Sequence, residues 1–248
     1  MSQSTIVVVP ACNEAARIGA VLDQVRDCLP TATVLVVDDG SADETGTVAT
    51  AHGAKVVRHP FNLGYGAALQ TGYHYARRHG FDRVVQLDAD GQHDPASIPS
   101  LIDALDRGAD VCVGSRYLTD DPPATSLLRR VGTRIFAWLV TAWTGRRITD
   151  PTSGFQALGP RALDLLTLDH FPEDYPDADV LITVSRAGLE LTEVPVRMYE
   201  RIGGVSMHRG TRVAWYGYKM LVTLALLPIR RTSPLRSGRE LHAARNRA

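Results

Sequence analysis

The chain has 248 residues, 44% hydrophobic and 22% charged, which is enough to bury a core of domain size. Lys plus Arg equals Asp plus Glu at 27 each, so no basic excess points to nucleic acid, and no nucleic-acid partner is expected. Three cysteines (Cys12, Cys28, Cys112) are too few and too scattered for a disulfide framework or a cysteine zinc site, and no uncharged stretch reaches the roughly 18 residues of a membrane span. Met1 to Thr5 has no basic segment and the apolar run Ile6–Val9 is short, so no signal peptide is expected.

Short β-branched runs alternate with amphipathic segments along the first half. Thr5–Val9, Val34–Val37, Lys55–Val57, Arg83–Leu87 and Val111–Val113 read as buried strands, because their apolar runs are nearly continuous. Between them Ala15–Cys28, Ser41–His52, Gly64–His79 and Pro95–Arg107 carry apolar residues at helical spacing, the last entered by Asp94 as N-cap with Pro95 at the first position. Such alternation predicts an α/β fold with a mainly parallel sheet and right-handed crossovers. After Tyr117 the pattern loosens. Thr119–Ser126 reads as a mobile loop, Leu127–Thr144 as a helix, Asp150–Phe155 as irregular, Asp177–Arg186 as a helix and Leu191–Met198 as a strand.

Between Arg212 and Arg230 lie 17 residues, apolar or aromatic apart from Lys219 and Thr223. As a helix they would be about 25 Å long, short of a hydrocarbon core of roughly 30 Å. Lys219 would add roughly 2.5–3.5 kcal/mol at the bilayer centre. Arg230–Ala248 then carries six arginines against Glu240. The expectation is an amphipathic helix over 211–229 lying in the membrane interface, with a basic, disordered tail over 230–248 held by anionic lipid, after a catalytic domain over 1–210. A core helix packed on the sheet is the alternative.

In open parallel sheets ligands bind beyond the carboxyl ends of the strands. Here each strand end carries polar residues: Pro10–Glu14, Asp38–Ser41, Asn62–Gly66, Asp88–Gln92 and Gly114–Arg116. The first of these lacks the glycines of a dinucleotide site, Gly64-Tyr65-Gly66 reads as a tight turn, and no P-loop occurs. Asp88-Ala89-Asp90 suits a hard divalent cation, with Gln92 as a further oxygen ligand and open positions for diphosphate and water. Asp177-Ala178-Asp179 shows the same spacing, and chance pairs usually form solvated turns. Asp38 and Asp39 either cap a helix or accept hydrogen bonds from a nucleoside, and Asn13 either caps the helix beginning at Glu14 or binds ligand.

Taken in order, these segments resemble family-2 glycosyltransferases of the polyprenol-phosphate (dolichol-phosphate mannosyltransferase-like) branch. The resemblance covers about residues 5–207 and rests on Val9–Glu14, Val36–Ser41, Asn62–Gly64, Leu87–Gln92, Gly114–Tyr117, Asp150–Phe155, Glu193–Pro195 and Arg201-x-x-Gly204-x-Ser206. It implies a GT-A fold, a nucleotide-sugar donor, Mg or Mn, and inversion at the anomeric carbon. It further implies that Pro10, Asn13, Glu14, Asp38, Asp39, Asn62, Gly64 and Ala89 line the nucleotide-sugar site, that Asp88, Asp90 and Gln92 hold metal and diphosphate, and that Arg201 and Ser206 close over the donor. Ser115, Arg116, Arg130 and Arg134 would face the phosphate of a polyprenyl phosphate acceptor. The implied place is the cytoplasmic face of a membrane, and some such enzymes work with a small membrane-protein partner. Two positions depart from the pattern: Cys12 stands where the family commonly has Tyr, and Met207 where it often has Lys. A hydroxyl acceptor would need a base, for which Asp179 or Asp177 is the natural choice, but the Gln-x-x-Arg-Trp string of polymer synthases is missing. A non-catalytic nucleotide-sugar-binding subunit is the remaining alternative, disfavoured by the intact Asp88, Asp90 and Arg201.

Overall fold

The computed structural model describes residues 4–119, 127–168 and 178–199. The loop expected over 119–126 therefore lies almost wholly outside them, as do Arg201, Ser206, the apolar stretch 213–229 and the basic tail. In chain order the elements are β1 (Thr5–Ala11), α1 (Ala15–Cys28), β2 (Thr33–Asp38), α2 (Thr45–Ala51), β3 (Lys55–Arg58), α3 (Tyr65–Arg78), β4 (Arg83–Gln86), α4 (Ile98–Asp106), β5 (Val111–Ser115), α5 (Leu127–Thr144), β6 (Gln156–Leu158), α6 (Pro160–Leu166), α7 (Ala178–Arg186) and β7 (Leu191–Pro195). A short 3₁₀ turn over Pro95–Ser97 leads into α4, and Asp94 caps it as expected by accepting from the Ala96 N–H at 3.0 Å.

Seven strands form one sheet in the order β3-β2-β1-β4-β6-β5-β7. All neighbours run parallel except β6, which is antiparallel to both β4 and β5. Strand order reverses at β1, so the crevice between the carboxyl ends of β1 and β4 is the switch point where such sheets take ligands.

Alternation along the strands divides the core. Ile6 and Val8 of β1 and Leu35 and Val37 of β2 face α3 together with buried residues of α5, α6 and α7. Val7, Val9 and Val36 face Ile18, Val21, Leu22 and Val25 of α1 and Leu101 and Ile102 of α4. Each such side chain, fully buried, contributes about 1.5–3 kcal/mol relative to exposure, which fixes the register.

The structure departs from the sequence reading in burial, in two boundaries and in two added elements. β3 is not buried on both faces: it is the sheet edge, paired only with β2, and Lys55 and Arg58 are exposed. The helix expected from Ser41 begins at Thr45, because Ser41 and Asp43 are engaged in loop contacts. β7 ends at Pro195, and Met198 makes only an isolated bridge to His93. β6 and α6 were not anticipated, since three strand residues are too few to show a period.

Candidate active site

Three of the polar strand ends meet at the β1 side of the crevice. Asn13 has a φ of 58°, the single positive value outside glycine among the described residues. Its N–H donates to Ser41 Oγ at 3.0 Å, and its side-chain Oδ1 accepts from the Ala42 N–H at 2.8 Å. Asn13 is thus a tie between two loops, not a cap on α1. The first N–H groups at the start of α1 are satisfied by the segment that follows β2: Glu14 N–H donates to Thr45 Oγ1 at 2.9 Å and Ala15 N–H to Asp43 Oδ2 at 3.1 Å.

Asp38 and Asp39 end β2 and are buried, at 0% and 4% exposure. Asp38 Oδ1 accepts from the Ser41 N–H at 2.9 Å, while among the described residues Oδ2 has only Arg58 Nε, at 3.5 Å, as a charged neighbour. Asp39 accepts from the N–H groups of Leu63 and Gly64, both at 2.9 Å, and pairs with His59 Nδ1 at 2.7 Å. His59 in turn meets Thr71 Oγ1 at 2.9 Å. Gly40 makes this packing possible: its φ is +68°, and a Cβ there would lie 2.5 Å from the Phe61 backbone. Neither carboxylate caps α2. Asn62 is exposed, and its Nδ2 lies 3.3 Å from Cys12 Sγ.

The β4 end is more open. Asp88 keeps 32% of its side chain exposed, and Asp90 and Gln92 are half-buried. Tyr65, at the start of α3, donates its hydroxyl to Asp88 Oδ1 at 2.8 Å. The Asp88 N–H donates to His93 Nδ1 at 3.1 Å, which leaves the ring proton on Nε2, 3.8 Å from Asp88 Oδ2. Burial holds the His93 pKa below the usual histidine value, against the opposing pull of the Asp88 and Asp90 charges. Asp90 Oδ1 accepts from the Gln92 N–H at 3.0 Å. Gly154 passes close by: a Cβ there would lie 2.9 Å from the Tyr65 hydroxyl and 3.2 Å from Asp88 Oδ2. The chain after β7 lies along this loop, with Tyr199 N–H donating to the Gln92 carbonyl at 2.8 Å and the Gln92 amide reaching the Tyr199 carbonyl at 3.4 Å.

The β5 end differs from expectation. Ser115 is completely buried, its hydroxyl 2.6 Å from Thr149 Oγ1, so it presents nothing to an acceptor in this arrangement. Arg116 grips the buried Asp150 in a two-pronged pair, Nε to Oδ2 at 2.6 Å and Nη2 to Oδ1 at 3.0 Å. Glu193 of β7 holds the same segment by accepting from the N–H groups of Thr149 and Asp150 at 2.8 and 2.9 Å. Burial pushes the Glu193 pKa up, with these hydrogen bonds opposing. Arg134 is exposed on α5, whereas the side chains of Arg130 and Asp179 lie outside the described residues.

Sequence reasoning therefore missed Tyr65, His59, His93, Asp150 as a partner of Arg116, and Glu193 as an anchor. Position alone could have flagged His93, three residues after Asp90, and Tyr65, directly after Gly64.

An open, mostly parallel sheet with half-exposed carboxylates at its switch point matches the GT-A glycosyltransferase fold that the resemblance implies. The sequence model of Glycosyl transferase family 2 matches residues 6–162, and the chain belongs to that family. It is 30% identical to a polyprenol monophosphomannose synthase of Mycolicibacterium smegmatis, over 86% of this chain and 83% of that protein. It is also 30% identical to an undecaprenyl-phosphate mannosyltransferase of Micrococcus luteus, over 83% of this chain and 87% of the relative. Among solved structures, glucosyl-3-phosphoglycerate synthase from Mycobacterium tuberculosis in complex with phosphoglyceric acid superposes with a TM-score of 0.69 at 25% identity, over 90% of this chain and 79% of that one. Among the described residues no helix is long and apolar enough to cross a membrane.

Proposed function

We propose that the protein transfers a sugar, with inversion, from a GDP- or UDP-linked hexose or N-acetylhexosamine to polyprenyl phosphate at the cytoplasmic face of a membrane. One observation carries the reading: the likeness to two polyprenyl-phosphate mannosyltransferases runs over more than four-fifths of both partners, and so includes the half-exposed Asp88–Asp90 loop. Asp88, Asp90 and Gln92 are the residues assigned to a divalent cation, Mg or Mn. The donor set fits one: hard oxygens on a half-exposed strand end, with Tyr65 orienting Asp88. Among the described residues no group of three His, Cys, Asp or Glu side chains surrounds a metal position, so donor oxygens and water would complete the sphere. When bound, the cation supplies charge neutralisation of the leaving nucleoside diphosphate.

The remaining roles belong to side chains. Pro10, Asn13, Glu14, Asn62 and Ala89, backed by Asp38, Asp39 and Gly64, form the wall assigned to the nucleotide. Arg201 and Ser206, which lie outside the described residues, are assigned to the donor phosphates on the family resemblance. Arg130 and Arg134 are assigned to the acceptor phosphate, with Arg116 acting through Asp150 to set that side of the crevice. A phosphate monoester has a second pKa near 6 and is largely ionised at neutral pH, so it attacks without a strong base. A hydroxyl acceptor would instead require Asp179 to take a proton.

The test is product analysis. Purified protein is incubated with undecaprenyl phosphate, Mg or Mn, and a panel of GDP- and UDP-sugars, and the lipid fraction is examined by mass spectrometry. A glycosyl phosphoryl lipid is expected from one donor. No lipid product from any donor, with glycosylation of a hydroxyl acceptor such as phosphoglycerate, would overturn the reading.

A further inference from the structure

His93 is 2% exposed and follows Asp90 closely in the chain, yet the proposed transfer gives it no part. A buried imidazole needs partners for its polar atoms. Its Nδ1 accepts from the Asp88 N–H at 3.1 Å, so the side chain reaches back five residues to hold a backbone group. The place of that bond matters. The Leu87 N–H still donates to the Val8 carbonyl of β1, at 3.2 Å. At Asp88 the chain leaves the sheet, and His93 stands in for the strand partner. An acceptor at Nδ1 puts the proton of the neutral ring on Nε2. Nε2 lies 3.8 Å from Asp88 Oδ2, beyond hydrogen-bond reach, so the ring holds the backbone of Asp88 and not its carboxylate. The carboxylate is oriented separately, by the Tyr65 hydroxyl on Oδ1. The ring is itself fixed from two other elements. It stacks on Phe155, with centroids 5.0 Å apart and planes 17° from parallel. Phe155 is fully buried just before β6 and follows Gly154, which passes close to Asp88 and Tyr65. The His93 backbone makes the isolated bridge to Met198, beyond β7.

We infer that His93 is a positioning residue: its Nδ1 fixes the Asp88 backbone, and with it the direction in which the Asp88 and Asp90 carboxylates meet a divalent cation. The nitrogen carries this role, not the volume of the ring. Half-exposed carboxylates on a strand-end loop bind a cation well only where something holds the loop, and partners behind metal ligands commonly matter tenfold or more in affinity. The inference rests on the proposed assignment of the cation to Asp88 and Asp90 and names what keeps that loop in place.

Two substitutions in the full chain separate nitrogen from ring. His93→Asn keeps an oxygen acceptor near the Nδ1 position and loses the stack on Phe155, whereas His93→Phe keeps the stack and loses the acceptor. Mn2+ binding is read from the electron paramagnetic resonance of the free ion, with GDP or UDP present and the nucleotide alone as blank. His93→Asn should bind Mn2+ close to the wild-type level, and His93→Phe roughly tenfold or more weakly. Wild-type binding by His93→Phe, or binding by His93→Asn as weak as that of His93→Phe, would overturn the inference. Circular dichroism at the assay temperature checks that both variants fold. If either does not, the wild-type ring decides: long-range proton–nitrogen correlation, assigned through contact with the Phe155 ring, should place the proton on Nε2. A proton on Nδ1 would overturn the inference. No acceptor enters these measurements, so the proposed reaction fails separately. A wild-type chain that binds Mn2+ with nucleotide but glycosylates no lipid counts against the reaction alone, and one that binds no Mn2+ overturns both.

Discussion

Two pairs of aspartates end neighbouring parts of the same sheet, and the protein uses them in opposite ways. Asp38 and Asp39 at β2 are buried, and Asp39 accepts two backbone N–H groups and pairs with His59. Asp88 and Asp90 at β4 remain half-exposed, with Tyr65 and the Gln92 N–H among their partners. A buried carboxylate must find its donors inside the protein, so the first pair becomes scaffold. A half-exposed one retains access to ligands from outside. The same residue type is thus tied into the scaffold at the end of β2 and left open to solvent at the end of β4.

Substitutions should separate the two pairs by what they damage. The largest effect is expected from Asp90→Asn: transfer should fall about a thousandfold, roughly 4 kcal/mol, with the urea midpoint unchanged. Retained turnover in both Mg and Mn would erase the distinction drawn here. Asp39→Asn should do the reverse in kind, lowering folding stability by about 3 kcal/mol, because it removes the charge opposite His59 in a buried network; equilibrium urea unfolding reads this directly. Tyr65→Phe leaves the fold intact and removes one hydrogen bond to Asp88, so the metal concentration needed for half-maximal activity should rise about tenfold with little change at saturation. The smallest effect concerns thiols. Cys112 is buried in β5 with its pKa pushed up to about 12 by burial, so at pH 8 a thiol reagent should modify the half-buried Cys12 and leave Cys112 untouched until the protein unfolds. Mass mapping of labelled peptides checks this.

A similar contrast separates the two sides of the crevice. On the β1–β4 side, loops are tied by backbone N–H groups donating to short side chains, as in Asn13 to Ser41 and Glu14 to Thr45. On the β5–β7 side, the tie is the Arg116–Asp150 pair, buried at the carboxylate and 14% exposed at the guanidinium. An arginine already gripping a buried carboxylate has little left for a substrate phosphate, which is why the proposed function assigns the acceptor phosphate to Arg134 and Arg130 instead.

The order of strands and helices was readable from residue pattern, because burying a face imposes a period of two on strands and 3.6 on helices. α1 and α5 begin and end where that pattern predicts. The polar strand ends were equally visible, since a parallel sheet forces them to one edge. What the pattern could not reveal was which polar groups find partners within the protein. That Arg116 meets Asp150, that Asp39 meets His59 and that β6 enters antiparallel all depend on contacts between residues far apart in the chain. The amino-acid sequence by itself determined the α/β alternation, the family and the chemistry-bearing edge. Only the tertiary structure decided which carboxylates are scaffold and which stay open to ligand, because burial and hydrogen-bond satisfaction are properties of the packed chain, not of any segment of it.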